Sequence, residues 1–132
     1  MIIGITAIAT LGPHGTCSEQ AANLYSARIG EAEIQLYDSF ESSAQAVQEG
    51  SAQFAVIPSA YVHLNDIVFR YLCQIAIVDT FTMDTPNLVM AKNGASQVSR
   101  VASHPAPAGL VERIFPNAEL IHTKSNSRSA LD

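Results

Sequence analysis

The sequence predicts an α/β fold, a mostly parallel sheet covered by helices, with a first subdomain over 1–81, a hinge at 82–86 and a second subdomain over 87–132. Three observations predict it. Short apolar runs alternate strictly with stretches whose apolar residues recur at helical spacing, the pattern of right-handed βαβ crossovers. A glycine-bearing turn, Gly12 to Gly15, joins the first apolar run to the first helical stretch. From Thr82 to Pro86 the composition turns polar around a proline, and a second set of elements follows.

Taken in order, Ile3 to Leu11 reads as a buried strand and Cys17 to about Ile29 as a helix. Thr16 and Glu19 have the spacing of a capping box, and Gly30 suits the position that closes the helix. Glu33 to Tyr37 is a second strand. Asp38 and Glu41 repeat the cap spacing before a helix that places Phe40, Ala44 and Val47 on one face and ends at Gly50. Phe54 to Ile57 is a third strand, stopped by Pro58. Leu64, Ile67, Val68, Tyr71 and Leu72 keep helical spacing before the apolar run QIAIVDTF. Beyond the hinge, strands are expected at Asn87 to Ala91 and near Val98 to Ala102. A short helix from Ala108 to Phe115 is expected to bury Leu110, Val111, Ile114 and Phe115, before the strand AELIH. Thr123 to Ser127 resembles another strand-to-helix turn, whose helix would have about one turn before Asp132.

Composition narrows the function. With 132 residues, 48% hydrophobic and 14% charged, the chain can build an ordinary globular core. A net charge of -5 and a pI near 5.2 argue against nucleic acid or an anionic membrane as partner. Cys17 and Cys73, with no charged leader ahead of an apolar core, read as reduced thiols of a cytoplasmic protein. The four histidines lack metal-ligand spacing, so neither a metal nor a cofactor is expected. No nucleophilic triad or phosphate-loop motif is present.

At LGPHGTCSEQAA, Leu11 to Ala22, local structure and chemistry are specified together. The first N–H groups of the helix point beyond the strand end, where an anion is the natural guest, although glycines there also serve as plain turn chemistry. The stretch resembles the N-terminal signature of the prephenate dehydratase family, Leu-Gly-Pro-x-Gly-Thr followed by Ser-Glu-x-Ala-Ala. SHPAP, Ser103 to Pro107, resembles that family's Ser-His-Pro segment, and SNSRSA its Ser/Thr-rich helix start, in the right order.

The resemblance implies two subdomains of the type 2 periplasmic-binding-protein kind, with substrate in the cleft between them. It also implies that the family's threonine-bearing Thr-Arg-Phe segment and regulatory ACT domain would lie beyond Asp132, leaving the second subdomain incomplete or completed in another way. Self-association is therefore expected, with elements exchanged between copies as one form of it.

Dehydratases usually carry Pro-x-Glu-Asn-Ser after the third strand. Here Pro58 is followed by Ser59, Ala60 and Tyr61, and the stretch PSAYVHLNDIVF is similar instead to the proline and Asn-x-Ile/Val-Phe pattern of the non-aromatising prephenate decarboxylases. Those enzymes serve natural-product routes such as that of bacilysin. Prephenate carries two carboxylates and a ring hydroxyl, and loss of the ring carboxylate as CO2 pushes electrons into the diene. A dehydratase lets them expel the hydroxyl, helped by a proton donor; a non-aromatising decarboxylase keeps the hydroxyl and protonates a ring carbon. Loss of Glu-Asn-Ser, and His14 where dehydratases often have Glu, fit the second outcome. The alternatives are a dehydratase giving phenylpyruvate and a non-catalytic ligand-binding fragment of the fold.

The expected substrate-binding residues are His14, Gly15, Thr16, Cys17 and Ser18 at the first turn and Tyr61 in the altered loop. Ser103, with Thr123, Ser125, Asn126 and Ser127, is expected from the second subdomain. His104 and His63 are the expected catalytic residues, His104 as a proton donor and His63 as an acid; their alternatives are a turn histidine before proline and a surface histidine. Ser18 and the Thr123–Ser127 segment have capping as the alternative to substrate contact. No covalent step is needed, so Cys17 lines or packs rather than attacks.

Overall fold

The computed structural model describes residues 6–94, 97–124 and 129. The chain divides into two compact units, Met1–Pro86 and Asn87–Asp132. The first is built as β1 (Ala7–Leu11), α1 (Cys17–Ile29), β2 (Glu33–Tyr37), α2 (Phe40–Gln48), β3 (Phe54–Ala55) and α3 (Leu64–Arg70). The second holds β4 (Arg100–Ser103), α4 (Ala108–Ile114) and β5 (Glu119–His122).

In the first unit β1 is the central strand, in the order β2-β1-β3, and both pairings are parallel. Alternate residues of β1 serve opposite faces. Ile8 packs with Ala22 and Tyr25 of α1, while Ala7 and Ala9 pack with Ala46 of α2 and with Ala52. These side chains are small, so α2 comes close to the sheet. Phe81 returns to the α1 face, stacked on Tyr25 at 5.6 Å between ring centroids. Ile67 of α3 joins Phe40 and Ala44 of α2 over Leu11. With α1 on one face and α2 and α3 on the other, the connections leaving β1 and β3 diverge. In parallel sheets the crevice beyond the strand ends at such a divergence is where ligands bind.

At α1 one half of the expected capping box forms, while the Glu19 carboxylate takes the Gly15 N–H and not the Thr16 N–H. Thr16 Oγ1 accepts the Glu19 N–H at 3.2 Å and donates to the Leu11 carbonyl at 3.2 Å, and Gly30 closes the helix at φ 93°, a left-handed conformation that side chains resist. At α2 the cap lies one residue later than expected. Ser39, not Asp38, accepts the Ser42 N–H, at 3.0 Å. Glu41 is thereby left free of the cap and turned to another use.

Several other expectations are corrected. The stretch Asn87 to Ala91 forms no strand. Apolar, β-prone sequence makes a strand only where a neighbouring edge accepts its backbone hydrogen bonds. The third helix stops at Arg70, with Tyr71 at its end and Leu72 exposed. The third strand is limited to Phe54 and Ala55, and the described part of the first begins at Ala7. In α4, Leu110 is 49% and Ile114 64% exposed, while Val111 and Phe115 are half-buried. Among the described residues, the second unit offers this short helix only the parallel pair β4-β5 to pack on, in the register Arg100↔Glu119 to Ser103↔His122.

Candidate functional site

The turn after β1 is fixed at both ends. The Gly12 N–H donates to the Tyr37 carbonyl at 2.8 Å, and Thr16, 7% exposed, anchors the helix start. Between them Gly15 takes φ 86°, open to a residue without Cβ. The Glu19 carboxylate then reaches back over the turn. Its Oε2 accepts the Gly15 N–H at 2.6 Å and its Oε1 lies 2.7 Å from His14 Nδ1. These two contacts, the backbone one first, hold the Glu19 carboxyl below its usual range. The turn therefore binds a carboxylate, and the carboxylate is the chain's own.

This changes what the sequence-predicted residues offer. The Thr16 hydroxyl and the Gly15 N–H are committed to the cap. The N–H groups of Cys17 and Ser18 open the helix and have no carbonyl within it to bond. Cys17 is exposed, Ser18 half-buried and the His14 side chain 88% exposed.

Beyond β3, Pro58 to His63 form the loop that leads into α3. Thr10, fully buried, donates from Oγ1 to the Val56 carbonyl at 2.8 Å and ties this loop to β1. Ser59 and Ala60 are exposed turn residues. The Tyr61 ring packs on Phe40, centroids 4.8 Å apart, and meets the His63 ring edge-on at 5.7 Å. The Tyr61 hydroxyl donates to Glu41 Oε1 at 2.7 Å. Burial first, and then that bond, push the phenol up to about 12. His63 is exposed, with Nδ1 3.0 Å from the Asp66 carboxylate at the start of α3.

In the second unit, Ser103, His104 and Thr123 come together at the carboxyl ends of β4 and β5. Ser103 is 5% exposed and donates from Oγ to the His104 carbonyl at 2.9 Å; its own carbonyl accepts the Thr123 N–H at 3.0 Å. His104 Nδ1 accepts the Ala106 N–H at 3.1 Å, so the neutral ring carries its hydrogen on Nε2. Burial and, after it, the neighbouring His122 lower its pKa below the ordinary 6.5. His104 is thus a neutral hydrogen-bond donor near neutral pH. Thr123 Oγ1 is bonded to Ser129 Oγ. Ser125, Asn126 and Ser127 lie outside the described residues. A shallow hollow of about 370 Å³, lined by Val98, Ile114, Phe115 and Ala118 among others, lies at the opposite end of these strands, away from His104.

No metal-holding group of His, Cys, Asp and Glu occurs among the described residues. Sequence reasoning missed Glu41 and His122 as neighbours of candidate residues. Glu41 was assigned to a cap by its spacing, and its contact with Tyr61 spans 20 residues of chain; His122 meets His104 only through the β4-β5 register.

The Gly12–Thr16 turn, the Pro58–Tyr61 loop and the Ser-His-Pro segment each follow the carboxyl end of a parallel strand. A family model described as prephenate dehydratase matches residues 8–132. The chain belongs to the prephenate dehydratase family. Among its relatives, a prephenate decarboxylase of Bacillus subtilis (strain 168) is 27% identical over 115 residues, covering 78% of this chain and 55% of the relative. A prephenate decarboxylase of Planktothrix agardhii is 28% identical over 117 residues, 83% of this chain and 57% of the relative. The bifunctional chorismate mutase/prephenate dehydratase of Escherichia coli (strain K12) is 30% identical over 130 residues, 91% of this chain and 34% of that protein. The chain spans a little over half the length of the decarboxylases named here. No solved structure matches it significantly. Among the described residues of this family member, no helix is long and apolar enough to cross a membrane.

Proposed function

We propose that the protein removes CO2 from prephenate without aromatising the ring, using no cofactor, in a natural-product route of the bacilysin or anticapsin kind. The observation that carries this reading is the loop after β3. Where dehydratases carry Glu-Asn-Ser after Pro-x, this chain has Ala60, Tyr61 and Val62: Ala60 and Val62 supply no carboxyl, amide or hydroxyl side chain, and the hydrogen of Tyr61 is already given to Glu41. A site that binds carboxylates but has no acid help at the ring hydroxyl favours loss of CO2 over loss of CO2 with water. The decarboxylases among the relatives support it.

In this reading the units are two subdomains of the periplasmic-binding-protein kind, 1–81 and 87–132, hinged at 82–86. One substrate carboxylate lies at His14 to Ser18, drawing on the Cys17 and Ser18 amides, and displaces or adjoins Glu19. The other is held by Ser103, Thr123, Ser125, Asn126 and Ser127. Tyr61 contacts the ring side, His104 Nε2–H delivers the proton to carbon, and His63 assists as an acid. The protein works in the cytoplasm, without nucleic acid or membrane. It also self-associates, because Phe69 at 74% and Val89 at 90% exposure leave apolar surface uncovered. A strictly monomeric species in sedimentation would remove that last element.

The deciding experiment incubates the protein with prephenate and weighs the products by mass spectrometry beside a no-enzyme control. Loss of CO2 alone is expected. A second reading, a dehydratase, is favoured by the similarity to the E. coli protein over 91% of the chain, and loss of both CO2 and water would select it. Binding without turnover would select a ligand-binding module.

A further inference from the structure

Tyr61 and Glu41 meet across 20 residues of chain, at 2.7 Å from hydroxyl to carboxylate oxygen. The contact is held from behind. Phe40, beside Glu41 at the start of α2, is 5% exposed and packs on the Tyr61 ring, in one cluster with Ala44 and Ile67. The titratable side chains around the phenol are Glu41, Asp66 and His63. Burial and the two carboxylates all oppose its ionisation, so the phenol keeps its hydrogen. A phenol has a single hydrogen to give. With that hydrogen on Glu41, Tyr61 presents only a lone pair to anything else that approaches.

We propose that Glu41 is a positioning residue: by taking the Tyr61 hydrogen it makes the phenol oxygen an acceptor for the hydroxyl of a cyclohexadienol substrate, and withholds the proton that would release that hydroxyl as water. This rests on the reading of the site as a non-aromatising decarboxylase. In that step the bond between the ring and its carboxylate breaks and CO2 leaves. The electron pair moves through the diene and takes a proton at a ring carbon, and the C–O bond stays. In the aromatising alternative the same pair expels the hydroxyl, which needs a proton to depart as water. A hydroxyl donating its own hydrogen to Tyr61 gathers negative charge on oxygen and becomes a worse leaving group. Without Glu41, the Tyr61 hydrogen is free to turn toward it, and a positioned general acid is worth about 10²–10⁴-fold.

The test measures, by mass spectrometry, the ratio of aromatised to non-aromatised product from prephenate for wild type, Glu41→Ala, Tyr61→Phe and the double variant. Glu41→Leu is a second variant with the same expectation, should Ala disturb α2. Replacing Glu41 is expected to raise the aromatised fraction about 100-fold, the lower end of the range for general acids. Tyr61→Phe is expected to raise KM and, because an acceptor is lost but no acid is gained, to raise the aromatised fraction far less than Glu41→Ala does; the double variant is expected to behave as Tyr61→Phe, since no phenol remains to act. A wild-type product ratio in both Glu41 variants overturns the proposal, and so does a double variant that aromatises as much as Glu41→Ala. A wild type that aromatises prephenate, or does not turn it over, overturns the reading of the site and takes the proposal with it.

Discussion

Thr16→Ala tests the claim that the signature threonine acts through the fold and not through its hydroxyl on the substrate. Its Oγ1 makes two bonds, accepting from Glu19 N–H and donating to the Leu11 carbonyl, both at 3.2 Å, and the residue is 7% exposed. Removing an N-cap hydroxyl costs about 1 kcal/mol. Loss of the second, part-buried bond costs about 1 kcal/mol more. Stability should thus fall by about 2 kcal/mol, the sum of these two contributions. Urea unfolding followed by circular dichroism measures it, as a lower midpoint at unchanged slope. Thr16→Ser keeps the oxygen and should recover most of the loss. A Thr16→Ala protein within about 0.5 kcal/mol of wild type, the usual scatter of inert surface changes, would refute the reasoning. So would a Thr16→Ser protein as unstable as Thr16→Ala.

Two pH effects follow from the same geometry. The Glu19 carboxyl is held below 4.5 in the folded chain by the Gly15 N–H and His14, so the unfolded chain binds its proton first. Its contribution is fully present above that value and is lost as pH falls through the folded pKa. Glu19→Gln should therefore flatten the acid limb of the stability profile, and an unchanged acid limb in urea titrations would count against the bond to Gly15. His104 is depressed by burial and, second, by His122. Its ring should titrate below 6.5 by NMR, and stability linked to it should be present above that value and decline as pH falls through the folded pKa. His122→Asn should raise the midpoint only part of the way, because burial remains; a midpoint at or above 6.5 in the wild-type protein would refute this account.

The sequence by itself determined the elements that rest on neighbours in the chain. The Thr16 side-chain cap on the Glu19 N–H, the closing Gly30, and the strand and helix periods of β1, α1 and β2 are local, since hydrogen bonds within a turn and the burial of one face are specified by residues a few places apart. The signature turn and the altered Pro58–Tyr61 loop were legible for the same reason. Apolarity alone did not suffice at Asn87 to Ala91, which pairs with no strand among the described residues. Tertiary structure alone decided which groups meet. It placed the Glu19 carboxylate on the Gly15 N–H and beside His14, where a substrate carboxylate was expected, freed Glu41 from its expected cap and brought it to Tyr61, and set His122 beside His104 through the register of β4 and β5. Those contacts come from packing helices on a sheet and from pairing strands, steps that join residues far apart in the chain and leave no period or spacing in the sequence.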